Sequence, residues 1–140
     1  MSAPTNPQGG GSFQPGLDLV TTAQIRSSAP APSGGIGYAA GAGSSVTQAT
    51  NRTTGVTINA MCGAITTNST SLAAEAAAAF VVTNSCVDIG DVVLVAQRSG
   101  AVGVMTDVVV VAVANGSFTL SVMNNNPAAG TAETGAIILN

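Results

Sequence analysis

Asp88 and Asp91 are the closest pair of side chains in this chain that could do acid–base or metal chemistry. They flank Gly90, and their carboxylates could approach a hard cation. Ca²⁺, however, generally takes about six to eight oxygen ligands, and this loop supplies only the two carboxylates. Acid–base catalysis would require surroundings that separate the two pKa values, and a turn between short strands offers no evident pocket. We therefore expect a solvated turn here, with no metal and no catalytic role.

The rest of the sequence supplies few catalytic groups. It has 140 residues with no histidine, three basic side chains, all arginine, and six acidic ones, although 46% of the residues are hydrophobic. Histidine does most acid–base work near neutral pH, and its usual substitutes are carboxylates or lysines tuned by a neighbouring charge. The composition therefore predicts a protein that is not an enzyme, needs no cofactor and packs an uncharged surface against other protein.

Cys62 and Cys86 are the only cysteines, and they have neither CxxC spacing nor a histidine nearby. This argues against a zinc site. We interpret them as small buried apolar residues, because free cysteine is among the most buried residue types. A disulfide between them is the alternative.

Charge and hydropathy indicate which kinds of partner the protein can bind. The arginines at positions 26, 52 and 98 are far apart in a chain of net charge −3, so no basic patch is available for nucleic acid. The longest apolar run, residues 108–114, is far shorter than the roughly 18 residues that a membrane span requires. The N-terminus lacks the pattern of a signal peptide. We expect no nucleic-acid or membrane partner, and a soluble product that is not exported.

Composition divides the chain into two regions. Residues 1–44 hold all but one of the six prolines together with glycine runs, which predicts an extended arm without a core of its own. An apolar island within it is our candidate anchor on another subunit, and consists of Leu17, Leu19, Val20 and Ile25. A flexible tail is the alternative. Residues 45–140 are the predicted β-sandwich domain.

Short apolar runs separated by turn residues fill this second region. They predict an all-β fold, a jelly-roll-like β-sandwich of about eight short strands. The predicted strands are residues 46–49, 55–58, 61–66, 78–83, 92–97, 102–113, 117–123 and 135–139. Residues 72–79 are rich in Ala and Glu, which favour helix, but a β-branched and aromatic run follows them at once. We interpret them as a loop that enters a strand, with a short helix as the alternative.

The clearest hairpin surrounds Asn115-Gly116, a pair that readily forms a two-residue type I′ turn. A regular register would place residues 109, 111 and 113 opposite residues 118, 120 and 122 on the core face. Val108, Val110 and Ala112 would then face outward. Because that face is more apolar than an exposed sheet needs to be, we expect Val108 and Val110 to contact another subunit.

Several segments resemble the capsid decoration, or cement, proteins of tailed bacteriophages. These segments are residues 38–50, 52–59, 63–66, 80–85 and 116–122. The resemblance implies a jelly-roll sandwich on the outer capsid surface of the virion, assembled in the host cytoplasm. It also implies a symmetric oligomer that bridges subunits of the phage major capsid protein. No individual functional residue carries over, because the matching segments contain no catalytic signature.

We expect from these features a structural cement protein that self-associates as a homodimer, with a trimer as the alternative. The competing function is a receptor- or carbohydrate-binding β-module of a phage head or tail fibre. Sugar sites usually present aromatic platforms, whereas this chain has no tryptophan, one tyrosine and three phenylalanines. The scarcity of aromatic residues favours the cement function.

Overall fold

A computed structural model of the protein describes residues 43–103 and 105–140, and these residues form only β-structure. The strands are β1 Ser44–Thr47, β2 Val56–Thr57, β3 Gly63–Thr66, β4 Ala77–Thr83, β5 Gln97–Ser99, β6 Thr106–Ala114, β7 Ser117–Asn124 and β8 Ile138–Leu139. The described residues contain no helix, and therefore none that is long and apolar enough to cross a membrane. The all-β prediction and the expected number of strands are confirmed.

The strands form two four-stranded sheets, and the predicted β-sandwich is confirmed. Sheet A has the order β1-β3-β8-β5 and sheet B the order β2-β4-β7-β6. Both sheets are mixed, since β1 runs parallel to β3 and β2 runs parallel to β4, while the other pairs are antiparallel. The two parallel pairs depart from the antiparallel pairing of a jelly roll, and nothing in the local sequence pattern predicted them.

Alternation along β4 explains how this strand covers the core. Successive side chains of a strand point to opposite faces of the sheet. Ala78, Phe80 and Val82 are buried, and the residues between them are exposed. The core between the sheets is completed by buried apolar side chains from both, among them Ile65, Phe118, Leu120, Val122 and Leu139.

Residues 72–79 form a loop that enters β4, as expected. Glu75 has φ of 60°, in the left-handed region, which interrupts a right-handed helix despite the favourable composition. The amide of Ala76 donates to the carbonyl of Ala73, closing a turn, and β4 begins at Ala77. Tertiary context has therefore overridden helix propensity here.

The register of the β6–β7 hairpin was predicted correctly near the turn and wrongly beyond it. Val113 pairs with Phe118 as expected, but a bulge at Val111 inserts one extra residue into β6. Val110 then pairs with Leu120, and the side chains before the bulge lie on the opposite face to the one predicted. The bulge thereby reverses the assignment of every residue between it and the start of β6.

This reversal corrects the two valines that were chosen as outward contacts. Val108 and Val110 are half-buried and pack against the core. Val109 and Val111 are exposed instead, by 38% and 60% of their surface. The outward apolar positions of β6 are therefore shifted by one residue from those predicted.

The turn of this hairpin lies where the sequence placed it, but it is not of type I′. That type requires positive φ at both central residues. Among the described residues the only positive-φ positions are Glu75, Gly100 and Gly116, so Asn115 does not meet the requirement. Contacts from outside the hairpin hold the turn, since the amide of Gly116 donates to the carbonyl of Val87 at 2.8 Å and Asn115 Oδ1 accepts from the amide of Ile89 at 3.0 Å.

Candidate interaction surfaces

The Asp88–Asp91 pair forms the solvated turn that was predicted. Both side chains are exposed. The amide of Asp91 donates to the carbonyl of Asp88 at 3.0 Å, and the amide of Asp88 donates to Asp91 Oδ2 at 2.8 Å. Within residues 43–103 and 105–140, no three His, Cys, Asp or Glu side chains lie close enough together to hold a metal ion. The carboxylate of Asp91 therefore serves the turn itself.

The two cysteines are free thiols, and their burial was predicted wrongly. Cys62 is half-buried and Cys86 is exposed. Both cysteines line one open groove. Cysteine is usually buried, but these two are accessible because the groove is open to solvent. Their position makes them natural reporters of what enters that groove.

The groove has a volume of about 700 Å³. Both sheets and the segment before β5 line it with mostly apolar side chains, including Met61, Ile65, Val93, Val95, Phe118 and Leu139. A groove of this size and composition is suited to apolar side chains of another polypeptide, since such sites combine apolar walls with a few polar groups.

The segment Val92–Ala96, which was predicted as part of a strand, lies beside the groove ahead of β5. Its side chains alternate as in a strand, with Val93 and Val95 half-buried and Leu94 exposed by 86%. Ala96 exchanges backbone hydrogen bonds with Asn140 at 2.8 and 2.9 Å. The segment thus continues the line of β5 at the edge of sheet A, although regular strand pairing begins only at Gln97.

Large apolar side chains are concentrated around this segment. Val92 is exposed by 85%, Ile89 by 70% and Met61 by 65%. Single exposed apolar residues are normal, but a cluster next to an apolar groove marks an interaction site. We call the groove and these flanking side chains the edge groove.

The outer face of sheet B is a second surface, and it carries little charge. Cross-strand pairing aligns Val81, Thr119 and Ala112 in one row, and Ala79, Ser121 and Val109 in the next. These side chains are small and neutral. Asp107, which pairs with Met123 in the next row, is the one charged side chain that β4, β6 and β7 place on this face. Little desolvation of charge would oppose the docking of another protein on this face.

Arg52 is buried, unlike the other described arginine, Arg98, which is exposed. Its guanidinium donates to the carbonyl oxygens of Thr70 at 2.5 Å, of Glu133 at 3.1 Å and of Gly135 at 2.8 Å. A fourth hydrogen bond reaches Thr67 Oγ1 at 3.3 Å. Burial lowers the pKa of Arg52, and the nearby charge of Glu133 partly offsets this. The side chain ties together loops that are distant in sequence, and it is not available to a ligand.

Glu133 is fully buried and is the acceptor at the centre of the same region. Oε1 accepts from the amides of Val102 at 3.0 Å and Gly135 at 2.6 Å, while Oε2 accepts from the amide of Gly103 at 2.8 Å and from Thr106 Oγ1 at 2.6 Å. Burial raises the pKa of Glu133, but these hydrogen bonds outweigh it and hold the pKa below its usual value. The carboxylate is therefore a structural anion that organises the entry to β6.

Protonation of Glu133 should destabilise the fold in acid. Because its pKa is lower in the folded than in the unfolded chain, its contribution is complete above the unfolded value of about 4.3 and is lost as the pH falls through the folded value. We expect the free energy of unfolding, measured in urea, to decline below about pH 4.5. Glu133→Gln should flatten this profile, whereas the exposed control Glu75→Gln should not. Parallel profiles for wild type and Glu133→Gln would assign the acid sensitivity to other carboxylates.

The sequence-predicted contact residues do not form one site in the described region. Val108 and Val110 lie on the core side of sheet B, and Leu17, Leu19, Val20 and Ile25 lie outside the described residues. Sequence reasoning missed the edge groove and the Arg52–Glu133 pair. The run of apolar residues from Val92 to Ala96 was the available signal for the groove. No local pattern signals the contact of Arg52 with Glu133, because the two residues are 81 positions apart in the sequence.

No protein-family model, curated protein or solved structure matches this chain.

Proposed function

We propose that this protein is a structural component of a tailed-phage virion that cements the outer capsid surface by binding and bridging subunits of the major capsid protein. It acts without catalysis and self-associates, as a homodimer in the simplest arrangement. The outer face of sheet B is the observation that carries this proposal. It carries a single charged side chain, Asp107 in the edge strand β6, and it is built from strands whose other face packs on the core.

The proposed binding mechanism is burial of weakly polar surface. Exposed charges are few in the described residues, and they are Glu75, Asp88, Asp91, Arg98 and Asp107. A standard protein interface buries about 1,600 Å² in total, and many equivalent contacts over a closed shell would add to one another. Attachment should consequently depend only weakly on salt, because screening acts mainly on exposed charge pairs.

The competing function, sugar or receptor binding, lacks a comparable observation. The two phenylalanines of the described region, Phe80 and Phe118, are exposed by only 3% and 7% and belong to the core. They cannot present the aromatic platform that a sugar ring stacks against. Capsid binding is therefore the function that the available surfaces support better.

Substitution on the outer face of sheet B should weaken capsid attachment without unfolding the protein. Val81 and Val111 are exposed by 48% and 60%, so Val81→Lys with Val111→Lys should cost little stability but would force two charges into the contact. We expect occupancy of undecorated shells, counted after co-sedimentation, to fall at least tenfold at limiting protein. Ser69→Lys, in an exposed loop, is the matched control. Full occupancy by the double variant would exclude this face as the capsid contact.

Deletion of residues 1–42 tests the anchoring role of the arm. The cut leaves β1 intact, since that strand begins at Ser44. We expect the truncated protein to melt within a few degrees of the full chain, because the composition of the deleted part is not that of a core. Its binding to shells should be much weaker at both low and high salt. Equal occupancy by truncated and full-length protein would leave the β-domain as the whole binding device.

A further inference from the structure

The edge of sheet A at β5 offers backbone groups to a further strand. β5 is the last strand in the order of sheet A, and the segment Val92–Ala96 continues its line. Among the described residues, the amides of Val93 and Val95 have no backbone hydrogen-bond partner. Edges of this kind recruit an extended segment by main-chain hydrogen bonds, with side-chain pockets supplying specificity.

The apolar island of the arm has the residue pattern of such a strand. From residue 17 to residue 25, the odd positions are Leu, Leu, Thr, Ala and Ile, and the even positions between them are Asp, Val, Thr and Gln. A strand with this period of two presents one mostly apolar face and one mostly polar face. The apolar face, with Leu17, Leu19 and Ile25, has the chemistry that the edge groove requires.

Charges at the two ends select one orientation. In an antiparallel alignment that places Asp18 opposite Arg98, Arg26 lies opposite the turn formed by Asp88 and Asp91. Opposite charges thus meet at both ends. In the same alignment, the odd positions of the island share the face of Val93 and Val95, which points into the groove. Ala23 and Thr21 then lie opposite these two valines. Ile25 lies opposite Asp91 at one end of the groove, and Leu19 lies opposite Gln97 just beyond its other end. A parallel alignment would bring Asp18 to the acidic turn and Arg26 towards Arg98.

The arm is long enough to reach a second copy. The described chain begins at Gly43, which is next to Cys62 and precedes β1. β1 is the opposite edge of sheet A from β5, and no described strand pairs with the outer side of β5. The 17 residues between Ile25 and Gly43 can reach about 55 Å when extended, which is ample for a neighbouring molecule.

We propose that residues 17–25 of a second copy of this chain add to sheet A as an antiparallel strand along residues 91–99 and fill the edge groove. The added strand covers Leu19 and Ile25 together with the groove walls, which removes apolar surface from water. The inference deepens the self-association part of the proposed function. It is tested in solution without capsids, so that its failure and a failure of capsid binding are distinguishable.

A charge exchange tests the alignment. Arg98→Glu in the full chain should raise the dissociation constant of the dimer about three- to tenfold, as expected for loss of an exposed pair and gain of a repulsion. Asp18→Arg alone should do the same. The double variant Asp18→Arg with Arg98→Glu should return to within about twofold of wild type. Both positions are outside the core, and melting curves verify the fold. Failure of the double variant to recover would overturn the alignment.

The native thiols test the occupant. Cys62 and Cys86 line the groove, so we expect their reaction with a disulfide reagent, resolved by peptide mass spectrometry, to slow at least fivefold as concentration converts monomer to dimer. Leu19→Asp should abolish both the protection and the dimer. Protection that is independent of concentration would overturn the assignment to a second copy in favour of the protein's own arm. A dimer that survives Leu19→Asp with unprotected thiols would overturn the groove as the site of exchange.

Discussion

Phe118→Asp should unfold the protein. Phe118 is exposed by only 7%, pairs with Val82 on one side and Val113 on the other, and belongs to the core cluster. The substitution removes a large apolar side chain and places a carboxylate where no partner is available, which costs about 4 kcal/mol or more. That is a large part of the stability of a domain of this size. We expect loss of the cooperative thermal transition and accumulation in the insoluble fraction.

Val111→Asp is the matched control for this experiment. It introduces the same carboxylate into the same hairpin, at the bulge residue, whose surface is exposed by 60%. Its effect on the free energy of unfolding should stay below about 1 kcal/mol. A Phe118→Asp protein that melts like wild type, or a Val111→Asp protein that unfolds, would show that the faces of the hairpin are assigned the wrong way round.

Glu133→Ala should destabilise the fold strongly. It leaves the amides of Val102, Gly103 and Gly135 and the hydroxyl of Thr106 without their acceptor. It also leaves the neighbouring guanidinium of Arg52 without a compensating charge. Losing a charged acceptor that four donors share costs about 2 to 3 kcal/mol. Urea unfolding should therefore shift to a much lower midpoint.

Two further variants separate the causes of this loss. Glu133→Gln keeps one acceptor oxygen and the shape of the side chain, so it should lose less than Glu133→Ala. Glu75→Ala removes a glutamate from an exposed turn and should lie within about 1 kcal/mol of wild type. If Glu133→Ala were as stable as Glu75→Ala, the amides around residue 133 would have to find water or other acceptors, and the pair with Arg52 would have no structural role.

The division between what could and could not be predicted follows the range of the interactions. The strand at residues 78–83, the position of the turn at Asn115-Gly116 and the paucity of charge are local or compositional properties. Each was predictable because a short window of sequence, or the composition alone, contains the residues that decide it. The same local reasoning placed about eight strands and an all-β fold correctly. It also identified the right hairpin, but with the wrong face beyond the bulge.

Only the tertiary structure decided the remaining features. The bulge at Val111 arises in the pairing of β6 with β7, and it moved Val108 and Val110 from the expected outer face to the core. The geometry at Gly116 is held by Val87, a residue outside the hairpin. The hydrogen bond from Arg52 to Gly135 spans a sequence separation of 83 residues. Sequence alone therefore determined that the fold is all-β, where most of the strands lie, and that the surface is nearly uncharged. Contacts between distant segments determined the start of β5, the register, the hydrogen bonds of Arg52 and Glu133, and the edge groove. The energies of these features depend on groups that no local window contains.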